Sequence, residues 1–269
     1  MIGSRWAPLS FDPDRGQCGG MRISLITGAN KGIGFEVARQ LGGLGEQKVL
    51  VGARNEERGR KAAAALRAEG VDAAYVHVDV TDAAGLERAA KRMEREYGRL
   101  DALVNNAGIA ILDWNLRPGR VPLDVVRRTY ETNVVGVIAV TDAMLPLLRR
   151  SAAGRIVNVS SRLGSLTVTS DLASPVSRVN LLAYNSSKAA LNAVTVAYAK
   201  ELAETPIKVN SVNPGFCDTD MASDLIAAMG AGRGVRTPAE GARAAVTAAT
   251  LPDDGPTGSF FGDEGPVPW

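Results

Sequence analysis

Tyr184 and Lys188 stand four residues apart in Tyr184-Asn185-Ser186-Ser187-Lys188, and Ala189-Ala190-Leu191-Asn192-Ala193-Val194 follows. The run has apolar residues at helical intervals and neither Gly nor Pro. It reads as a helix on which phenol and ammonium share a face. A free phenol loses its proton near pH ~10 and a free lysine ammonium near ~10.4. An ammonium held beside a phenol favours the phenolate, so the pair is expected to lower the tyrosine pKa. A tyrosine tuned in that way can give a proton to a carbonyl oxygen, or recover it, closer to neutral pH. Any helix can carry such a pair, so the surrounding elements must decide whether it does chemistry.

Those elements alternate. From Met21 onward, strand-like runs at 22–27, 49–53, 74–78, 102–105, 155–160 and 207–212 are separated by helical patterns at 34–41, 56–69, 83–97, 123–150, 184–203 and 238–249. A last strand is expected at 258–261. This order predicts a single α/β domain, a Rossmann-type doubly wound parallel sheet with helices on both faces. Right-handed crossovers place its ligand at the carboxyl ends of the strands. No linker or repeat divides residues 21–269, and residues 1–20 read as an irregular lead.

The first strand runs into Thr27-Gly28-Ala29-Asn30-Lys31-Gly32-Ile33-Gly34. Glycines at such a turn let the backbone approach a pyrophosphate, and the new helix offers the anion its N-terminal amides. The spacing Gly-x-x-x-Gly-x-Gly is a variant of the dinucleotide fingerprint. The second strand ends in Val51-Gly52-Ala53-Arg54-Asn55. An acidic residue there would hold a free ribose hydroxyl pair, and none is present. Arg54, helped by Lys31, is instead suited to a 2′-phosphate, which predicts NADP(H) in preference to NAD(H).

Composition narrows the function classes. A formal charge of +2 on 269 residues gives no argument for a nucleic-acid or membrane partner. Cys18 and Cys217 stand too far apart to suggest a disulfide framework or a zinc site, and they fit a reducing cytoplasm. His77 is the only histidine, so zinc hydrolases that need several are excluded. A Ser-His-Asp hydrolase would have to use His77, and no nucleophile elbow accompanies it. No apolar secretory core marks the first twenty residues. The apolar stretch Val134 to Leu148 is interrupted by Asp142 and Pro146, and reads as a buried helix rather than a membrane span.

Taken together, these motifs resemble the short-chain dehydrogenase/reductase family. The glycine turn 28–34 matches its coenzyme motif. Asp79-Val80 resembles the pair that contacts adenine, and Asn105-Asn106-Ala107-Gly108 the motif that supports the sheet and lies against the cofactor ribose. Asn133, Ser161, Tyr184 and Lys188 match the catalytic set, and Asn213-Pro214-Gly215 with Thr219 resembles the loop that binds the nicotinamide carboxamide. Cys217 follows that loop. The glycine-turn wording and Arg54 are most similar to NADPH-dependent carbonyl reductases. The resemblance implies reduction of a ketone or aldehyde, with Ser161 holding the carbonyl oxygen, Tyr184 as proton donor and Lys188 also holding the nicotinamide ribose. Asn133 would hold a water that connects Lys188 to solvent. No metal is implied, and a homodimer or homotetramer is the family-level expectation.

Blander roles compete with these. Ser160 competes with Ser161, Asn133 could lie on a helix surface, Asp79 could form a turn with Thr81, and Cys217 could be a packing residue. The same motifs also admit an alcohol dehydrogenase working in the oxidative direction, or an NADP(H) sensor without turnover. The segment from Ser161 to Tyr184 is longer than usual for the family. It is expected to form one wall of the substrate pocket, with 218–235 as a lid and Trp114 near the pocket or over the core.

Overall fold

In the computed structural model the described residues are 20–111, 117–223 and 234–269. The expectations for residues 1–19, for Trp114 and for 224–233 of the lid-like stretch lie outside them. Seven strands run parallel: β1 (Arg22–Thr27), β2 (Gln47–Ala53), β3 (Ala73–His77), β4 (Ala102–Asn105), β5 (Arg155–Val159), β6 (Lys208–Asn213) and β7 (Ser259–Gly262). A short β8 (Gly265–Pro266) returns antiparallel to β7. The order is β3-β2-β1-β4-β5-β6-β7-β8. Strand order reverses between β1 and β4, which opens a crevice at their carboxyl ends.

The strands are near-continuous apolar runs because both faces of the sheet are covered. Ile26, Val49, Val51, Val104, Val157 and Val212 face one layer. There they pack on α1 (Gly32–Gly42), α2 (Glu56–Ala68) and α8 (Pro238–Ala249). Ile23, Leu25, Leu50, Leu103, Ile156 and Val209 face the other layer. That layer holds α3 (Ala83–Tyr97), α5 (Gly136–Leu148) and α7 (Leu182–Glu201). Each fully buried aliphatic side chain contributes about 1.5–3 kcal/mol relative to exposure.

The helix expected over 123–150 is broken in an informative way. It comprises α4 (Leu123–Tyr130), a π turn (Glu131–Val135) and α5. Hydrophobic periodicity cannot distinguish one inserted residue from a regular helix. By length and composition Leu123–Leu148 is apolar enough to cross a membrane, but Val140, Met144, Leu147 and Leu148 are buried in the core layer shared with α3. Hairpin strand β8 was not foreseen, since two residues carry no period.

A chain of buried polar side chains crosses the middle of the sheet. Asn105 donates to Thr141 Oγ1 at 3.1 Å and to Asn158 Oδ1 at 2.9 Å. Asn158 donates to Thr195 Oγ1 at 2.8 Å, and Thr195 pairs with Ser211 Oγ at 2.8 Å. The seam ties β4, β5 and β6 to α5 and α7. Asn158→Leu is expected to lower the unfolding free energy by about 2–4 kcal/mol, because it strips partners from buried polar groups. Urea unfolding would measure this, and a loss near zero would show the seam to be incidental.

Candidate active site

Strand β5 ends at Val159 and delivers two serines with different fates. Ser160 is buried and donates to Asn192 Oδ1 at 2.6 Å, so it is engaged inside the fold. Ser161 is half-buried and its Oγ accepts from Leu163 N at 3.2 Å, starting a short 3-10 turn over Arg162–Gly164. Its hydroxyl acts to lower the Tyr184 pKa, against the larger effect of burial. Ser160 is held by Asn192, whereas Ser161 is the serine that acts on the tyrosine.

Tyr184 and Lys188 project from the first turns of α7 toward this strand end. Lys188 is buried, and its Nζ donates to Val159 O at 2.8 Å and stands 5.7 Å from the Tyr184 ring centroid. The ammonium thus faces the strand carbonyl rather than the phenol oxygen. The expected lowering of the tyrosine pKa does not occur in this arrangement. Burial pushes the Tyr184 phenol up, against the opposing effect of Ser161. Burial also pulls Lys188 down to about 8. Desolvation is the leading cause of both shifts. Ile111, Val121, Val125, Leu181 and Ala183 line a small pocket beside Tyr184.

Asn133 sits in the π turn and is buried, so the helix-surface alternative fails. Its Oδ1 accepts from Ile109 N at 2.8 Å, and its Nδ2 donates to Ile109 O at 2.9 Å and to Ser187 Oγ at 3.0 Å. The side-chain amide is therefore engaged with the β4 loop and α7. Gly108 passes over it so closely that a Cβ would stand 3.2 Å from Asn133 Oδ1 and 3.7 Å from Lys188 Nζ.

The glycine turn fits a dinucleotide phosphate. Gly28 has φ +65°, and a Cβ on it would stand 3.0 Å from Ala107 Cα. A Cβ on Gly34 would stand 2.4 Å from Asn106 Nδ2 and 2.7 Å from Gly28 O. Asn106 Nδ2 donates to Thr27 O at 2.9 Å, and Thr27 Oγ1 accepts from the Asn106 and Ala107 amides, each at 3.0 Å. This lashing holds the Asn106-Ala107-Gly108 loop against the turn. No side chain caps α1 and no acidic residue stands in its first turn, which leaves that helix end suited to an anion. Asn30 is half-buried in the turn, and Ile33 packs against the core beside α8.

Arg54 is exposed at the carboxyl end of β2. Lys31 pairs with Asp220 at 2.5 Å, and its pull holds the Asp220 carboxyl below the usual range. Arg58 also acts on Asp220, so two cations act on this carboxylate. Sequence reasoning missed Arg58, although its place one helical turn beyond Arg54 was a usable signal. Asp79 Oδ1 accepts from Thr81 N at 3.0 Å and Oγ1 at 2.8 Å. Burial would raise its pKa, but these bonds and Arg54 bring it below its ordinary value. Val80 is buried against Gly136, where a Cβ would meet Val80 Cγ2 at 2.8 Å.

Beyond β6, Pro214 is buried and Thr219 faces the glycine turn, its Cγ2 3.5 Å from where a Gly32 Cβ would stand. Cys217 is buried, with its thiol pushed up to about 11 by burial, and it packs on Gly241. Arg236 lies against Gly215, donates to Pro214 O at 3.3 Å and pairs with Asp263. No sequence signal pointed to Arg236. His77 is exposed at the end of the outermost strand, four strand spacings away from β5, at roughly 4.8 Å per spacing. A Ser161–His77 pair is therefore out of reach. Among the described residues no three His, Cys, Asp or Glu side chains gather as metal ligands would.

The sheet order and the glycine cradle define a Rossmann-type α/β protein. More narrowly, the chain belongs to the short chain dehydrogenase family, which it matches over residues 22–230, and it is therefore an oxidoreductase. It is 37% identical over 235 residues to the short-chain dehydrogenase anuI of Penicillium roqueforti, covering 85% of this chain and 88% of that one. It is 32% identical over 284 residues to carbonyl reductase (NADPH) 1 of Bos taurus, covering 92% and 98%. The solved structure of an NADPH-bound carbonyl reductase from chicken fatty liver superposes with a TM-score of 0.79 at 27% identity, covering 93% and 100%.

The depressed Lys188 pKa has a measurable sign. Between about 8 and the ordinary 10.5 the unfolded chain binds the proton and the folded chain does not. Stability therefore rises with pH in that window. In the free protein, wild type is expected to gain up to about 3 kcal/mol on Lys188→Met across it. Parallel stability profiles for the two proteins would refute the buried ammonium.

Proposed function

We propose that the chain reduces a ketone or aldehyde to an alcohol with NADPH, and that the Tyr184 phenol supplies the proton to the carbonyl oxygen. The reading is carried by the buried Lys188, which bonds Val159 O at the end of β5 and stands 5.7 Å from the Tyr184 ring, with Ser161 acting on the phenol from the same strand end. Similarity to the bovine and chicken carbonyl reductases supports it. The bound nicotinamide would supply hydride to the carbonyl carbon.

The residues of this chain do the rest. One lone pair of Ser161 Oγ takes the Leu163 amide, which leaves its hydrogen for the substrate oxygen. Burial keeps the Tyr184 phenol protonated at neutral pH, the state a proton donor needs. As charge develops on the substrate oxygen, the phenolic proton passes to it. Lys188, with a pKa of about 8, is still mostly an ammonium at neutral pH and stabilises the phenolate left behind. The family resemblance gives Lys188 the nicotinamide ribose as a further partner. Asn133 acts by position, since its amide holds the Ile109 backbone and Ser187.

Arg54, Arg58 and Lys31 support the preference for NADPH. A 2′-phosphate there would compete with Asp220 for Lys31, and charge-assisted bonds from guanidinium to phosphate are the stronger kind. No acidic residue ends β2 to favour a free ribose.

Tyr184→Phe is expected to lower carbonyl turnover by about 10²–10⁴-fold while NADPH affinity stays at the wild-type value. Turnover close to wild type in that variant would overturn the assignment of the acid. A wild type that binds NADPH yet reduces nothing in a panel of quinones, ketones and aldehydes would favour the sensor. Arg54→Glu is expected to weaken NADPH binding by about 10–100-fold and leave NADH binding little changed. Equal wild-type affinity for the two dinucleotides would remove the preference.

A further inference from the structure

We propose that Pro268 and Trp269 form a strap that positions Ser161 for the substrate carbonyl, a proposal that rests on the reading of Ser161 and Tyr184 above. Ser161 stands at the head of a tight turn. Gly164 N donates to Ser161 O at 2.8 Å and Ser165 N to Arg162 O at 3.0 Å. The short helix α6 (Leu166–Ser170) follows directly, with Ser165 as its cap through Val168 N at 3.0 Å.

Helix α6 cannot hold itself in place. It has five residues and none is buried, and Leu166 is 70% exposed. Isolated helices of that length do not persist in water. Two hydrogen bonds anchor it from outside: Ser165 Oγ donates to Pro268 O at 2.6 Å, and Thr167 N donates to Trp269 O at 3.0 Å. Ser165 is fully buried under this contact.

The strap in turn is fixed to the sheet. Val267 N donates to Phe260 O at 2.8 Å, and the Trp269 ring stacks on buried Phe260 with centroids 5.6 Å apart and planes 25° apart. On its inner side the Ser161 turn rests on α7. A Cβ on Gly164 would stand 2.7 Å from Lys188 Cβ, and Asn192 Nδ2 donates to Gly164 O at 3.3 Å. Arg162 N donates to Asn213 Oδ1 at 3.1 Å. The turn is thus clamped between α7 and Asn213 on one side and the strap on the other. Trp269 is a positioning residue that acts on Ser161 through Ser165 and the turn.

The test uses the full chain as wild type, Trp269→Ala and Trp269→Phe. Carbonyl KM and kcat, NADPH affinity and amide hydrogen exchange over residues 162–170 are measured on each. In Trp269→Ala, exchange over 162–170 is expected to quicken and carbonyl KM to rise about tenfold, as small misplacements near a reacting centre do. NADPH affinity is expected to hold, and Trp269→Phe to restore KM. Unchanged exchange or unchanged KM would overturn the strap. A parallel loss of melting temperature and NADPH affinity, with KM no more affected than either, would reduce Trp269 to a structural residue and overturn it as well. Absence of turnover in the wild type would overturn the proposed function, and with it the substrate half of the strap. Unchanged exchange with turnover intact would overturn the strap alone.

Discussion

A buried ammonium is the constraint around which this domain is arranged. Removing Lys188 from water costs several kcal/mol unless its protons find acceptors. One proton meets Val159 O, at the point where β5 gives way to Ser160 and Ser161. That bond sets the distance between α7 and the strand end. It therefore also sets where Tyr184 stands relative to Ser161. Glycines admit the close approach on both sides. Gly164 lets the Ser161 turn lie on the α7 backbone, and Gly108 lets the loop after β4 lie close on Asn133.

The same face of α7 carries the polar seam of the core. Tyr184, Lys188, Asn192 and Thr195 fall at i, i+4, i+8 and i+11, a single helical stripe. Tyr184 and Lys188 reach the site, Asn192 holds Ser160 and Gly164, and Thr195 joins Asn158 to Ser211. Site and seam are therefore one structure. Asn105, at the head of the motif expected to support the sheet, lies in that seam, whereas its neighbour Asn106 fastens the glycine turn. Two adjacent asparagines on a strand end point to opposite sides, so one serves the core and the other the cofactor crevice.

The fold was legible because parallel strands buried on both faces read as apolar runs, and because glycine turns and helical periods punctuate them. The Tyr184–Lys188 pair was legible because it lies within one helical turn. What could not be read depends on contacts distant in sequence. The direction of the Tyr184 pKa follows from burial, which spacing alone does not reveal. Lys31 meets Asp220 across 189 residues, and Ser165 meets Pro268 across 103. Arg236 reaches the Pro214 loop from a position no motif marks. The choice of Ser161 over Ser160 rested on resemblance, and only the structure shows that Ser160 is engaged with Asn192.

The π turn in the long helix has a geometrical reason of the same kind. One inserted residue rotates the helix face by about 100°. Before the turn, α4 must pack on α7, with Val125 lining the small pocket beside Tyr184. After it, α5 must aim Val140, Met144 and Leu147 at the core layer it shares with α3. A regular helix through both ends would hold one of these faces out of phase. The turn absorbs the mismatch at Asn133, whose amide then points inward to Ile109 and Ser187, while Val135 is left 47% exposed. Gly136 completes the correction by letting the helix settle on Val80, at the end of the segment that follows β3. The irregularity thus falls where the helix packed on α7 and the core helix must be joined without losing either contact.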